Sequence, residues 1–137
     1  MQNQTFKAAA LFKQKNKLKI IDLEFPKKLH RGQVFVKIIR FAICGAQINE
    51  INGVKGEDKY LPHLMGHEGY GEIIKIGPSV KKFKKKQKEI LHWRKGRGIN
   101  AKPFVYFSRK YGKINSGQVT TFSQYSVVSE NRLSIFD

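Results

Sequence analysis

Residues able to do chemistry concentrate at two places in this sequence, Ile43-Cys44-Gly45 and Gly66-His67-Glu68-Gly69-Tyr70-Gly71. A thiolate, an imidazole and a carboxylate converging from separate elements are the ligand types zinc takes in sites that keep an open coordination position. Gly66, Gly69 and Gly71 allow the tight backbone that would let His67 and Glu68 point into a cleft. Spacing alone leaves a second reading open, because a lone cysteine after Phe41-Ala42-Ile43 also suits a small buried hydrophobe. Two other motifs are set aside by their context. His63 and His67 form an H-x-x-x-H pair, but Pro62 and Gly66 bracket it with helix breakers, so the pair is read as accidental. Gly96-Arg97-Gly98-Ile99-Asn100-Ala101 matches G-x-G-x-x-A, yet Pro103 stands where a helix should run. The next acid is Glu130, too far on for the ribose anchor expected about twenty residues downstream.

The elements that must position Cys44, His67 and Glu68 are mostly strands. Thr5 to Phe12, Leu18 to Leu23, Gln33 to Cys44 and Tyr70 to Ile76 are short β-rich runs. Pro26, Pro62, Pro78 and Pro103, with glycines near most of these junctions, punctuate them at the spacing of a barrel or sandwich. Helix signals are scarce, and the best candidate is Gly45 to Ile51, with Ala46, Ile48 and Ile51 as an inward face. Both reactive clusters therefore sit at strand ends. No internal repeat and no Gly/Ser-rich linker divides the chain, so its 137 residues predict one domain with one core.

A hydrophobic share of 40% supports that core despite a mean hydropathy of −0.46. Cys44 is the single cysteine, which excludes a disulfide-stapled secreted scaffold and fits a reducing compartment. The lead Met1-Gln2-Asn3-Gln4-Thr5 is polar and lacks the order of a signal peptide. The longest apolar stretch, Val34 to Cys44, carries Lys37 and Arg40 and is too short to span a bilayer. A cytoplasmic protein without membrane association is expected. The formal charge of +17 raises polyanions as partners, and Lys81-Lys82-Phe83-Lys84-Lys85-Lys86-Gln87-Lys88 could grip phosphates beside an aromatic. Lysines outnumber arginines 21 to 6, however, whereas readout of bases and phosphates favours arginine, so the run also reads as a solvated loop and nucleic acid is not favoured.

With these residues in view, the sequence resembles the N-terminal catalytic domain of zinc-dependent alcohol dehydrogenases of the medium-chain dehydrogenase/reductase superfamily. The resemblance is carried by Lys7-Ala8-Ala9, Gly32-Gln33-Val34, Ile43-Cys44-Gly45, Leu64-Met65-Gly66-His67-Glu68-Gly69 and Gly77-Pro78-Ser79-Val80, in family order. Thr121 to Val128 looks like the strand that closes the domain. The fold implied over residues 1–137 is mainly β, a GroES-like distorted barrel with one or two short helices and without a Rossmann domain. The resemblance implies that Cys44 and His67 ligate a catalytic zinc, with Glu68 a carboxylate that coordinates the metal directly or during ligand exchange. It further implies a small alcohol or aldehyde substrate, and NAD or NADP as hydride acceptor only if a second domain supplies it.

The sequence departs from the family at informative positions. The family's hydroxyl residue two after the cysteine, which passes the proton, is Ala46 here, and the aspartate three after it, which holds the ligating histidine, is Gln47. A four-cysteine structural-zinc lobe is replaced by the basic, aromatic segment Lys95 to Gly117, expected to be held by packing alone. Lys86 stands where a turn glycine is usual, and Glu89 faces a normally buried position. The family's third zinc ligand and its nucleotide-binding domain lie past the position of Asp137. The expectation is thus the substrate- and zinc-binding domain of an alcohol dehydrogenase-like oxidoreductase, incomplete without a nicotinamide-binding domain: either a second polypeptide carrying a Rossmann domain completes it, or the 137 residues are a fragment. The alternatives are a non-catalytic basic barrel for polyanions, using Lys81 to Lys88 and Lys13-Lys15-Lys17-Lys19, or an inactive remnant.

Overall fold

The computed structural model describes residues 4–135. Met1 to Asn3, part of the lead on which the no-signal expectation rests, and Phe136 and Asp137, where the fragment reading places the chain's end, lie outside the described residues. The order is β1 (Thr5–Leu11), β2 (Lys19–Glu24), β3 (Gln33–Phe41), α1 (Gly45–Asn52), β4 (His63–Leu64), β5 (Gly69–Ile76), β6 (Lys88–Leu91), β7 (Tyr106–Ser108), β8 (Gly112–Ile114), β9 (Tyr125–Ser129), a 3-10 turn (Glu130–Arg132) and β10 (Leu133–Ile135). Among the described residues the strands form three antiparallel sheets, ordered β2-β1-β4, β10-β6-β5-β3-β9 and β7-β8. The molecule is mainly β, with one α-helix among the described residues, as the strand runs predict.

Strand β3 organises the core. Successive side chains of a strand point to opposite faces, so three consecutive apolar residues need cover on both. Phe35 joins Phe6, Leu23, Leu64, Tyr106 and Val127 on one side, while Val34 and Val36 pack with Ile73, Phe83, Leu91 and Leu133 on the other. Each such side chain contributes about 1.5–3 kcal/mol when fully buried, which makes this strand the least dispensable of the sheet. β9 pairs with β3 from Gln33↔Ser129 to Lys37↔Tyr125, the closing strand the resemblance implies.

Four sequence expectations are corrected. β3 ends at Phe41 rather than Cys44, because Cys44 leaves the sheet as the extended N-cap of α1, where the Gln47 side chain accepts its N–H at 2.8 Å. The inward face of α1 is not Ala46, Ile48 and Ile51: Ala46 and Ile48 are exposed, the latter at 54%, and Ile51 is half-buried. Gln47 is the buried residue of this helix, at 3% exposure, because polar partners rather than apolar ones lie beneath it. Third, Phe83 is a core residue, so the aromatic of the lysine run is not on the surface to stack on bases. Finally, Lys95 to Gly117 is held by more than packing. Backbone N–H groups withdrawn from water need acceptors: Ile99 donates to Glu130 Oε1 at 2.7 Å, Ala101 to Ser129 Oγ at 2.8 Å, and Gly96 to the Asn131 carbonyl at 2.7 Å. The same Glu130 carboxylate, itself 2% exposed, accepts the N–H groups of Lys81 and Lys82 at 3.1 and 3.3 Å. Lys86 does stand in the left-handed region, at φ 73, and Glu89 is fully buried on β6.

Candidate metal centre

The site follows from one strand pairing. β3 and β5 are in register through Phe41↔Gly69, which places Cys44 just past the end of one strand and His67 and Glu68 just before the start of its neighbour. The Ala42 N–H donates to the Glu68 carbonyl at 3.1 Å and holds the two chain segments together beyond the ladder. One donor atom each from Cys44, His67 and Glu68 then lie within 4.8 Å of one another. Gly66, at φ 94, is needed for that approach, since a Cβ there would stand 2.3 Å from Thr121 Oγ1 and 2.7 Å from the Phe122 ring. A Cβ at Gly71 would meet the Lys37 carbonyl oxygen at 2.5 Å and prise β5 from β3.

Gln47 shapes the electrostatics of the cluster. Its Oε1 is committed to the Cys44 N–H, which fixes the amide orientation and leaves Nε2 facing the His67 ring, 3.0 Å from Nδ1 and 3.4 Å from Nε2. An amide nitrogen only donates, so it takes up the single lone pair of a neutral imidazole. His67 Nε2 also stands 3.7 Å from Glu68 Oε1. Thiolate, imidazole and carboxylate within this radius fit zinc by donor type. For His67 to ligate, it must give up its hydrogen bond from Gln47 and turn its remaining N–H toward another acceptor.

A cavity of about 780 Å³ opens beside the cluster, lined by Ala46, Gln47, Glu50, Asp58, His67 and Trp93. Trp93, which sequence reasoning did not single out, has its ring 6.4 Å from that of His67 at 53°. The signal for it was its place two residues beyond Leu91, which pairs with Gly69 at the mouth of the site. His63 does not share a cluster with His67, in keeping with an accidental spacing; it stands instead with Glu50 and Asp58. Burial alone would raise the Asp58 carboxyl, but the hydrogen bonds from His63 and the Tyr60 N–H, with the imidazole charge, outweigh it and hold the group below its ordinary value. Gly96 to Ala101 runs as a loop, with the N–H groups of Gly96, Ile99 and Ala101 spent on acceptors of the protein itself rather than offered to a phosphate. No helix among the described residues is long and apolar enough to cross a membrane.

Comparison with known proteins bears on the family and the fold. An alcohol dehydrogenase of Geobacillus stearothermophilus is 32% identical over 87 residues, which is 64% of this chain and 25% of that protein. A NAD-dependent alcohol dehydrogenase of Sulfolobus acidocaldarius is 31% identical over 90 residues, 62% of this chain and 26% of its own length. The chain thus spans about a quarter of the curated relatives it matches. Among solved structures, an alcohol dehydrogenase zinc-binding domain protein from Burkholderia ambifaria superposes with a TM-score of 0.82 at 14% identity, covering 98% of this chain and 42% of that one. Benzyl alcohol dehydrogenase from Acinetobacter calcoaceticus superposes at 0.76 with 18% identity, over 98% of this chain and 41% of its own. These likenesses establish the distorted-barrel fold. Residues 30–135 match the alcohol dehydrogenase GroES-like domain, and the chain belongs to that family.

Proposed function

We propose that this domain is the substrate- and zinc-binding part of an alcohol dehydrogenase-like oxidoreductase. The observation that carries the reading is the convergence of Cys44, His67 and Glu68 within 4.8 Å at the lip of a cavity. Cys44 and His67 would hold the metal, with Glu68 as a carboxylate within reach of it, able to coordinate directly or during ligand exchange. A zinc ion there would supply Lewis acidity toward an alcohol or aldehyde oxygen. Gln47 orients Cys44 through its N–H and restrains the His67 ring until metal is bound. Trp93 and the exposed side of α1 form the walls against which a small alcohol rests. Ala46 offers no hydroxyl, so the substrate proton leaves directly to solvent in the open cleft. The hydride acceptor, NAD or NADP, is to be held by a dinucleotide-binding unit outside residues 4–135, in the same or a second polypeptide. Within these residues the loop that mimics a dinucleotide fingerprint is tied to Glu130.

The test is calorimetric zinc titration of the wild-type chain and of Cys44→Ser combined with His67→Ala. The double variant should lose the zinc equivalent whose affinity falls as pH drops toward about 6, where protons compete for thiolate and imidazole. Undiminished zinc binding at that site in the double variant would remove the assignment. Alcohol-dependent reduction of NAD or NADP should appear only when a nucleotide-binding domain is supplied.

A further inference from the structure

A second cluster of ligating groups lies across the cleft from the first. Glu50, on the last turn of α1, Asp58, in the following loop, and His63, on β4, bring one donor atom each within 4.8 Å of one another. His63 is 7% exposed, and both of its ring nitrogens face oxygen. Nδ1 lies 2.8 Å from the Leu64 carbonyl oxygen, and Nε2 lies 2.6 Å from Asp58 Oδ2 and 3.8 Å from Glu50 Oε2.

That arrangement holds one imidazole against two carboxylates. A neutral imidazole carries one N–H and one lone pair. The Leu64 carbonyl can only accept, so it takes the Nδ1–H, and the 2.6 Å contact of Nε2 with Asp58 Oδ2 is a second hydrogen bond, whose proton a bound cation would displace. A histidine whose Nδ1–H donates to a backbone carbonyl, leaving Nε2 to take a metal in place of its proton, has the orientation that metal-binding histidines adopt. Asp58 is fixed in the same manner, because its Oδ1 accepts the Tyr60 N–H at 2.9 Å and so turns Oδ2 toward His63. The Tyr60 carbonyl is in turn held by Asn115 Nδ2 at 2.9 Å.

We propose that Glu50, Asp58 and His63 form a second divalent-cation site, separate from Cys44, His67 and Glu68 and free of sulfur. Ligands on a common first-row ion at about 2.1 Å stand roughly 3.0 to 3.4 Å apart. Asp58 Oδ2 must therefore back away from His63 Nε2 by a few tenths of an ångström, and the half-exposed Glu50 side chain must close in by a similar amount. One imidazole nitrogen and two carboxylate oxygens suit manganese, cobalt or zinc, and the open side faces a cavity of about 530 Å³ that His67 also lines.

Cobalt(II) titration of the full chain, followed by calorimetry and absorption, tests this. Two equivalents should bind, one with thiolate-to-cobalt charge-transfer absorption and one without. Cys44→Ser should abolish that absorption and leave the second equivalent in place. Within the Cys44→Ser background, Glu50→Gln and His63→Ala should each weaken the remaining equivalent by more than the roughly 10-fold that even an outer-shell partner costs. Glu50→Gln alters a half-exposed helix residue, so it reports on the site even if His63→Ala does not fold. If Cys44→Ser binds no cobalt, or binds it equally well after Glu50→Gln, the second site is wrong. If the wild type binds cobalt without charge-transfer absorption, the Cys44 assignment fails and the second site stands.

Discussion

Replacing Gln47 by glutamate should convert the partner of His67 from a donor into an acceptor, with almost no change in shape. In the wild type the amide Nε2, 3.0 Å from His67 Nδ1, occupies the lone pair that a metal would need. Metal binding then costs the net worth of that hydrogen bond, about 0.5–1.5 kcal/mol, and leaves two donors facing each other at a residue only 3% exposed. In Gln47→Glu one carboxylate oxygen still accepts the Cys44 N–H, and the other accepts the ring N–H of a metal-bound His67. Such an outer-shell partner is worth roughly 10- to 100-fold in metal affinity, or about 1.4–2.7 kcal/mol. The gain appears only with metal, because burying an extra carboxylate beside Glu68 destabilises the metal-free form. Competition against a chromophoric chelator should therefore show zinc bound at least about tenfold tighter, while metal-free thermal unfolding moves downward. Equal or weaker zinc binding in a folded Gln47→Glu protein would refute the claim that Gln47 competes for the histidine.

Two further outcomes follow from buried groups away from the cleft. Glu130→Ala strands three N–H groups, of Ile99, Lys81 and Lys82, and at about 1–3 kcal/mol each, the longer two at the low end, urea unfolding should report a loss of about 3 kcal/mol or more; a loss under about 1 kcal/mol would mean that water or a neighbour replaces the carboxylate. Burial pushes the Tyr106 hydroxyl up to about 12 despite the hydrogen bond from the Val127 N–H, so the unfolded chain, with its ordinary value of 10.0, loses that proton first. Stability should fall as pH rises from 10.0 toward about 12, and Tyr106→Phe should flatten that alkaline decline in a pH series of denaturation curves.

The reactive residues were legible because their chemistry is local. Cys44 and the Gly66 to Gly71 run sit at the ends of strands whose alternation is visible, and strand pairing alone brings those ends together. The helix boundaries were legible too, but its orientation was not. Counting apolar residues favours Ala46 and Ile48 as the inward face, whereas hydrogen bonds to Cys44 and His67 draw Gln47 inward and leave Ile48 to solvent. The anchoring of Lys95 to Gly117 was out of reach for a different reason. Glu130 lies 31 positions from Ile99, and no periodic pattern ties a lone acid to backbone N–H groups that distant. His63 was likewise read only against His67, since its partner Asp58 is brought to it by a loop whose path the residue types do not dictate.

The place of β3 in the middle of its sheet has a consequence for how the chain is made. Its partner on one side, β5, follows within a few dozen residues, but the other side waits for β9, and 88 positions separate Phe41 from Ser129. At about 5–20 residues per second, synthesis leaves the Val34-Phe35-Val36 edge unpaired for roughly 4 to 18 s. An open apolar edge is a template for any other strand during that interval. Recovery of soluble protein should therefore depend on elongation rate and on chaperone supply more than the stability of the finished fold would suggest. The two ends of the Cys44, His67 and Glu68 cluster come together on the early pairing, so Cys44 and His67 can meet before the sheet that protects them is complete.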